Sequence, residues 1–203
     1  MKSTWFLADM ARPLTIVLAS ESPRRLELLK QVGLNPIVCP SGFDEVLNEV
    51  LTPRDFVEKC SFEKAKSVKQ SWIEQKKPFD IVLGSDTIIE IDGLILGKPK
   101  DDQEAMEVLK KLSGRTHLCL TGVSLQTPTK DRTFVVETKV RFKELPDSLI
   151  KAYIQTQEHV GRAGSYSIQG KAAVFVDGIE GCYNNVVGLP VSKVVQEMAE
   201  LIE

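Results

Sequence analysis

This 203-residue sequence is short of the residues that mark several function classes, and each shortage removes a reading. It has only two histidines, His117 and His159, too few for a histidine-rich metal site. Its four cysteines, Cys39, Cys60, Cys119 and Cys182, are scattered among apolar neighbours with no CxxC pair, so buried, reduced thiols are preferred to a zinc site or a disulfide framework. The formal net charge is −2, which argues against a general nucleic-acid or membrane surface and requires any basic site to be local. No apolar run approaches the length that crosses a bilayer. Residues 1–13 hold Trp5, Phe6 and Leu7, but Asp9 and Arg12 interrupt them before a signal-length core develops. They read as a flexible extension ahead of one domain over 14–203, long enough to bury a proper core, and the expected location is cytoplasmic. There is no internal repeat and no low-complexity tract.

What is present begins with Thr15–Leu34. Ile16–Ala19 is a short, continuous apolar run that suits a strand buried on both faces. Ser22 then reads as a helix cap and Pro23 as its first residue, where a missing N–H costs nothing. Leu26, Leu29 and Val32 recur at helical spacing, and Gly33 offers the left-handed residue that stops the helix. The helix start carries free N–H groups and the positive dipole end, and Arg24 and Arg25 add two cations; an anion is expected there.

Further along, Asn35–Cys39 reads as a second strand, followed by a loop with paired acids Asp44 and Glu45. These suit a metal or plain surface, and the surface reading is preferred from the residues alone. Thr52-Pro53-Arg54-Asp55 opens a helix whose apolar face, Phe56, Val57 and Cys60, continues onto Lys64. A lysine on that face either snorkels or meets an anion. Ile81–Leu83 reads as another buried strand, Gly84-Ser85 as a turn that leaves Asp86 at the strand end, and Ile88–Leu96 as a hairpin folded at Asp92-Gly93, with Lys98 beyond. A helix from Asp101 or Asp102 to Gly114, strands over Leu118–Leu125 and Thr133–Phe142, a helix from Pro146 through Tyr153, a strand over Ala172–Val176, a loop over Gly181–Pro190 and a final helix Val191–Ile202 complete the pattern.

A helix start with two arginines, two lysines facing inward or toward a strand-end acid, and loop acids form the kit for polyphosphate chemistry, where charge neutralisation and positioning do most of the work. A divalent cation, Mg²⁺ or Mn²⁺, completes it, because carboxylate oxygens and substrate phosphates share such ions.

In order along the chain stand Ala19-Ser20-Glu21-Ser22-Pro23-Arg24-Arg25, Glu63-Lys64-Ala65, Ser85-Asp86-Thr87, Gly97-Lys98-Pro99, Leu112-Ser113-Gly114-Arg115-Thr116-His117, Ala163 to Gly170 and Asn185 to Pro190. With these the sequence resembles the Maf family of nucleoside triphosphate pyrophosphatases from Ile16 onward. The resemblance implies an α/β fold with an elongated mixed sheet flanked by helices and two lobes around a central cleft, similar to the inosine triphosphate pyrophosphatases. It also implies a homodimer and the hydrolysis of a nucleoside triphosphate to the monophosphate and pyrophosphate. Asp86 matches the proton acceptor; Arg24, Thr87 and Gln169 match positions tied to base specificity; Ser20, Glu45, Lys64 and Lys98 match other substrate or metal contacts. The branch implied acts on dTTP, UTP and related or modified pyrimidine nucleotides in nucleotide-pool cleaning. The alternatives are the sister specificity for 7-methylguanosine triphosphate and a nucleotide-binding regulator of septum formation. Arg162 stands where the family commonly has Lys, and Ser167 where it usually has Gly, which bears on fine specificity.

Overall fold

Residues 14–43 and 51–202 are described by the structure, a computed structural model. The flexible extension expected over 1–13, and the acids Asp44 and Glu45, lie outside the described residues.

The apolar run Ile16–Ala19 is strand β1, and all four residues are buried. It is followed by helix α1 (Pro23–Gln31), strand β2 (Ile37–Val38), helix α2 (Pro53–Glu74) and strand β3 (Ile81–Ile91). β1 pairs in parallel with β2 on one side and β3 on the other. The chain thus passes from β1 to β2 on one side and then back across β1 to β3 on the other, and right-handed crossovers put α1 and α2 on opposite faces of the sheet. The alternation of side chains agrees: Ile16, Leu18, Ile81 and Leu83 join the core that holds Leu28 and Leu29 of α1, whereas Val17, Ala19 and Val82 pack on Ala65, Val68 and Trp72 of α2. In open α/β sheets such a reversal beside one strand leaves a crevice at its carboxyl end.

The rest of the sheet is antiparallel: β4 (Leu94–Leu96) folds back on β3, and β5 (Thr116–Gln126), β6 (Asp131–Phe142) and β7 (Val176–Glu180) follow in order beyond it. Helices α3 (Asp102–Leu112), α4 (Asp147–Gln155), α5 (Tyr183–Val187) and α6 (Val191–Ile202) complete the chain. The mixed, helix-flanked sheet read from the sequence is therefore present.

Four local expectations are corrected. Ser22 occupies the cap position of α1, but its hydroxyl makes no capping bond; its own N–H donates to Ser20 Oγ at 3.2 Å. Gly84-Ser85 is no turn, and Asp86 lies mid-strand, because β3 runs unbroken from Ile81 to Ile91. The glycine is needed for proximity: a Cβ on Gly84 would lie 2.3 Å from Ser61 O and 2.7 Å from Ala65 N, so α2 rests backbone-to-backbone on the sheet. Residues Lys171–Phe175 form a 3₁₀ turn and the strand starts at Val176, where pairing with β6 from Phe142 back to Lys139 sets it. Finally, the loop expected over Gly181–Pro190 contains α5, held by Asn185.

Candidate active site

β3 has a gap along one edge. Its residues Ile81–Gly84 pair with β1 and Ile89–Ile91 pair with β4, while β5 covers the opposite edge. Among the described residues, no strand covers Ser85–Ile88 on the β1 side. The cleft opens at this gap, with a volume of about 680 Å³, within the range of sites for small ligands. Ser20–Arg25, Lys64, Asp86 to Ile89, Lys98, Gly161–Ala163 and Gly188 contribute to its walls.

Because successive side chains on a strand point to opposite faces, Asp86 and Thr87 serve different layers. Asp86 faces α2. The stripe of α2 that buries Val57, Cys60, Ala65 and Val68 also buries Lys64, and the close approach at Gly84 brings that lysine to the strand. Lys64 Nζ donates to Asp86 Oδ1 at 2.7 Å, with the two side chains only 10% and 8% exposed. The second carboxylate oxygen, Oδ2, has no hydrogen-bond partner among the described residues.

Thr87 faces α1. Arg25 Nη2 donates to Thr87 Oγ1 at 3.1 Å, its Nη1 to Ser20 Oγ at 3.0 Å and its Nε to the Gly188 carbonyl at 2.9 Å. Arg25 thus braces three elements along the wall. Thr87 Oγ1 also stands 2.9 Å from Thr121 Oγ1. The Gly188 carbonyl is presented by α5, whose Asn185 Nδ2 lies 3.0 Å from Cys119 O, 3.2 Å from Val136 O and 3.0 Å from Thr138 Oγ1.

Arg24, one step around the helix, behaves differently. Among the described residues it makes no hydrogen bond or ion pair, and its Nε is buried without a partner. Burial first, then the charges of Arg162 and Arg25, bring its guanidinium down to about 10, against an opposing pull from Glu27. Lys98 is exposed at the cleft and forms no ion pair among the described residues.

Of the residues singled out from the sequence, the structure brings together Ser20, Arg24, Arg25, Lys64, Asp86, Thr87 and Lys98 around one cleft. It does not bring Gln169 there: that residue is exposed, outside the cleft walls and, among the described residues, without a side-chain hydrogen bond. Glu45 lies outside the described residues. Sequence reasoning assigned no role to Asn185, Gly188 or Tyr166, although each lies in a quoted motif, and it noted Arg162 only as a departure bearing on fine specificity. The Tyr166 ring borders the cleft, its hydroxyl is 2.9 Å from His117 Nε2, and burial drives its phenol well above the ordinary tyrosine value.

A divalent cation fits the donors at hand. Among the described residues no group of three or more acidic, histidine or cysteine side chains gathers into a cage. Mg²⁺ needs only one or two carboxylates when substrate phosphates supply the remaining oxygens, and Asp86 Oδ2 is such a donor.

Comparison with known proteins agrees in extent and order. The model of the family described as Maf-like protein matches residues 15–201. The dTTP/UTP pyrophosphatase of Ruminiclostridium cellulolyticum is 45% identical over 191 residues, covering 93% of this chain and 96% of that protein. The protein of the same name from Bacillus pumilus is 44% identical over 181 residues, covering 89% and 93%. A solved structure, the Ham1 protein of Staphylococcus aureus, overlaps 63% of this chain and 71% of its own at 18% identity and a TM-score of 0.46, too partial a likeness to argue from. With a family model running from the first strand to the last helix and relatives matched over most of their length, this chain belongs to the Maf-like protein family.

Proposed function

We propose that this protein hydrolyses dTTP and UTP to the nucleoside monophosphate and pyrophosphate. The observation that carries this reading is the buried Lys64–Asp86 pair, 2.7 Å apart, beside a cleft lined by further cations. The names of the relatives supply the substrate class.

Cleaving a phosphoanhydride requires a water deprotonated as it attacks, a reacting phosphate held in line, and charge neutralised on the departing phosphates. Asp86 supplies the carboxylate: Lys64 fixes Oδ1, and Oδ2 is left either to take the proton of the water or to hold the divalent ion. Lys98 and Arg24 supply positive charge to the phosphates in a partly enclosed site, where it acts more strongly than in water, while Lys64 is engaged in holding Asp86. Arg25 holds the Ser20–Thr87 wall in place rather than spending its donors on the substrate. A divalent ion is part of the proposal; Asp86, with Glu45 as the second candidate, would hold it together with substrate phosphates, and it supplies charge neutralisation there. A homodimer in the cytoplasm belongs to the same reading, supported by the family resemblance; sedimentation tests the assembly.

Chromatography of the products from UTP with Mg²⁺ tests the reaction type. Equal amounts of UMP and pyrophosphate are expected. UDP with orthophosphate, or no turnover of any nucleotide, would contradict the reading.

A further inference from the structure

The mechanism above leaves one feature of the cleft unused. Arg162 lies on the Gly161–Ala163 wall, its Nε is buried without a hydrogen-bond partner, and among the described residues its guanidinium makes no ion pair. The same holds for Arg24 on the facing helix start. Both residues line the same cleft, and of the charges that lower the Arg24 guanidinium that of Arg162 acts most strongly. Two arginines that repel each other, with buried donors unspent, form an arrangement that costs stability until an acceptor enters.

The backbone under Arg162 is fixed independently of any ligand. His159 is buried with its Nε2 3.0 Å from Asp102 Oδ1, Gly164 N donates to Gly97 O at 3.1 Å, and Ser165 N donates to Arg162 O at 3.0 Å. Gly164 has φ +66 and packs so tightly on Ile89 that a Cβ would lie 2.7 Å from its Cγ1. The 161–165 segment is thereby tied to the β3–β4 hairpin and to α3. A cation carried on such a frame is placed before substrate arrives.

What the pair holds follows from charge. A pyrimidine ring is neutral and offers single acceptor atoms, which neither offset two guanidiniums nor match two planar forks. The terminal phosphates of a triphosphate carry several negative charges and presentable oxygen pairs, the geometry a guanidinium takes bidentately. Lys64 is engaged with Asp86, so Lys98, Arg24 and Arg162 are the charges left for the departing group.

We propose that Arg162 and Arg24 form a clamp for the pyrophosphate end of the nucleotide, making Arg162 a substrate-binding residue that selects triphosphates over monophosphates. This rests on the proposed pyrophosphatase reading for its substrate, but not for its test.

Calorimetric binding of inorganic pyrophosphate and, separately, of UMP to the full chain is the experiment. Arg162→Ala and Arg24→Ala are each expected to weaken pyrophosphate binding about tenfold or more, the scale of one charge-assisted bidentate contact. UMP binding is expected to change by less than about twofold in either variant, and Arg162→Lys to fall between wild type and Ala because an ammonium lacks the planar fork. Far-UV circular dichroism checks folding; if Arg162→Ala does not fold, Arg162→Gln replaces it with the same expectation. Pyrophosphate binding that is undetectable in the wild type, or unchanged in the variants, overturns the clamp. So does a loss on UMP equal to the loss on pyrophosphate, which assigns the arginines to the nucleoside end. If the wild type hydrolyses no nucleotide yet binds pyrophosphate through these arginines, the pyrophosphatase reading fails while the clamp stands.

Discussion

Lys64, on the buried stripe of α2, donates a 2.7 Å hydrogen bond to Asp86 in the middle of β3, and the helix can come that near only because position 84 has no side chain. A backbone contact thus sets the geometry of a charged pair, and stability and activity become coupled at this point.

Asp86→Asn is expected to reduce turnover by roughly a hundredfold or more, the usual scale for losing a positioned general base. It also removes the negative charge 2.7 Å from the largely buried Lys64 ammonium, so the melting temperature should fall. Steady-state kinetics with a thermal melt on the same preparation checks both; wild-type turnover would remove Asp86 from the mechanism.

Gly84→Ala puts a methyl group into Ser61 O and Ala65 N. Moving α2 away costs about 1–3 kcal/mol, as overpacking in a core does, and retracts Lys64 from Asp86. Urea unfolding should show the loss of stability and assays a loss of activity with it. A variant as stable and as active as the wild type would show that the helix can yield without moving Lys64.

Arg25→Lys keeps the charge but cannot reach Ser20 Oγ, Thr87 Oγ1 and Gly188 O together. Leaving buried acceptors unpaired costs about 1–3 kcal/mol. A fall in both melting temperature and kcat is expected; a rise in KM alone would mean that Arg25 binds substrate directly.

His117 contributes a pH dependence. It is fully buried against Phe142 and Tyr166, and burial lowers its imidazole to about 4. The unfolded chain, with a histidine near the usual 6.5, therefore binds the extra proton first as pH falls. The resulting destabilisation is absent well above pH 6.5, grows through the window down to about 4, and reaches roughly 2 kcal/mol at pH 5. His117→Gln should reduce the stability difference between pH 7 and pH 5 by that order in urea titrations; an unchanged difference would mean the imidazole is not held neutral.

Much of the frame is legible in the sequence because its signals are local. Thr52 caps α2 by accepting from Asp55 N at 3.2 Å, and Asp101 caps α3 by accepting from Glu104 N at 2.8 Å. Apolar periodicity alone turns Lys64 inward. Gly84 misleads because its missing side chain serves a helix distant in sequence, and a turn residue and a close-packing residue look alike in one dimension. Arg24 and Arg25 are likewise indistinguishable as neighbours; their step around the helix sends one into a brace and leaves the other facing the cleft. Asn185 acquires its role only when β5 and β6 lie side by side beneath it, which no local pattern announces. Gln169 offered suitable chemistry for reading a base, yet the fold leaves it outside the cleft.

The measurement that tests the central claim most directly is kcat/KM for pyrophosphate release from dTTP, UTP, ATP and 7-methylguanosine triphosphate by the wild-type protein with Mg²⁺ or Mn²⁺. The two pyrimidine nucleotides are expected well ahead of the purines, with release lost on chelation while the melting temperature of the unliganded protein is kept. A preference for the methylated purine, or no pyrophosphate from any of the four, would contradict it.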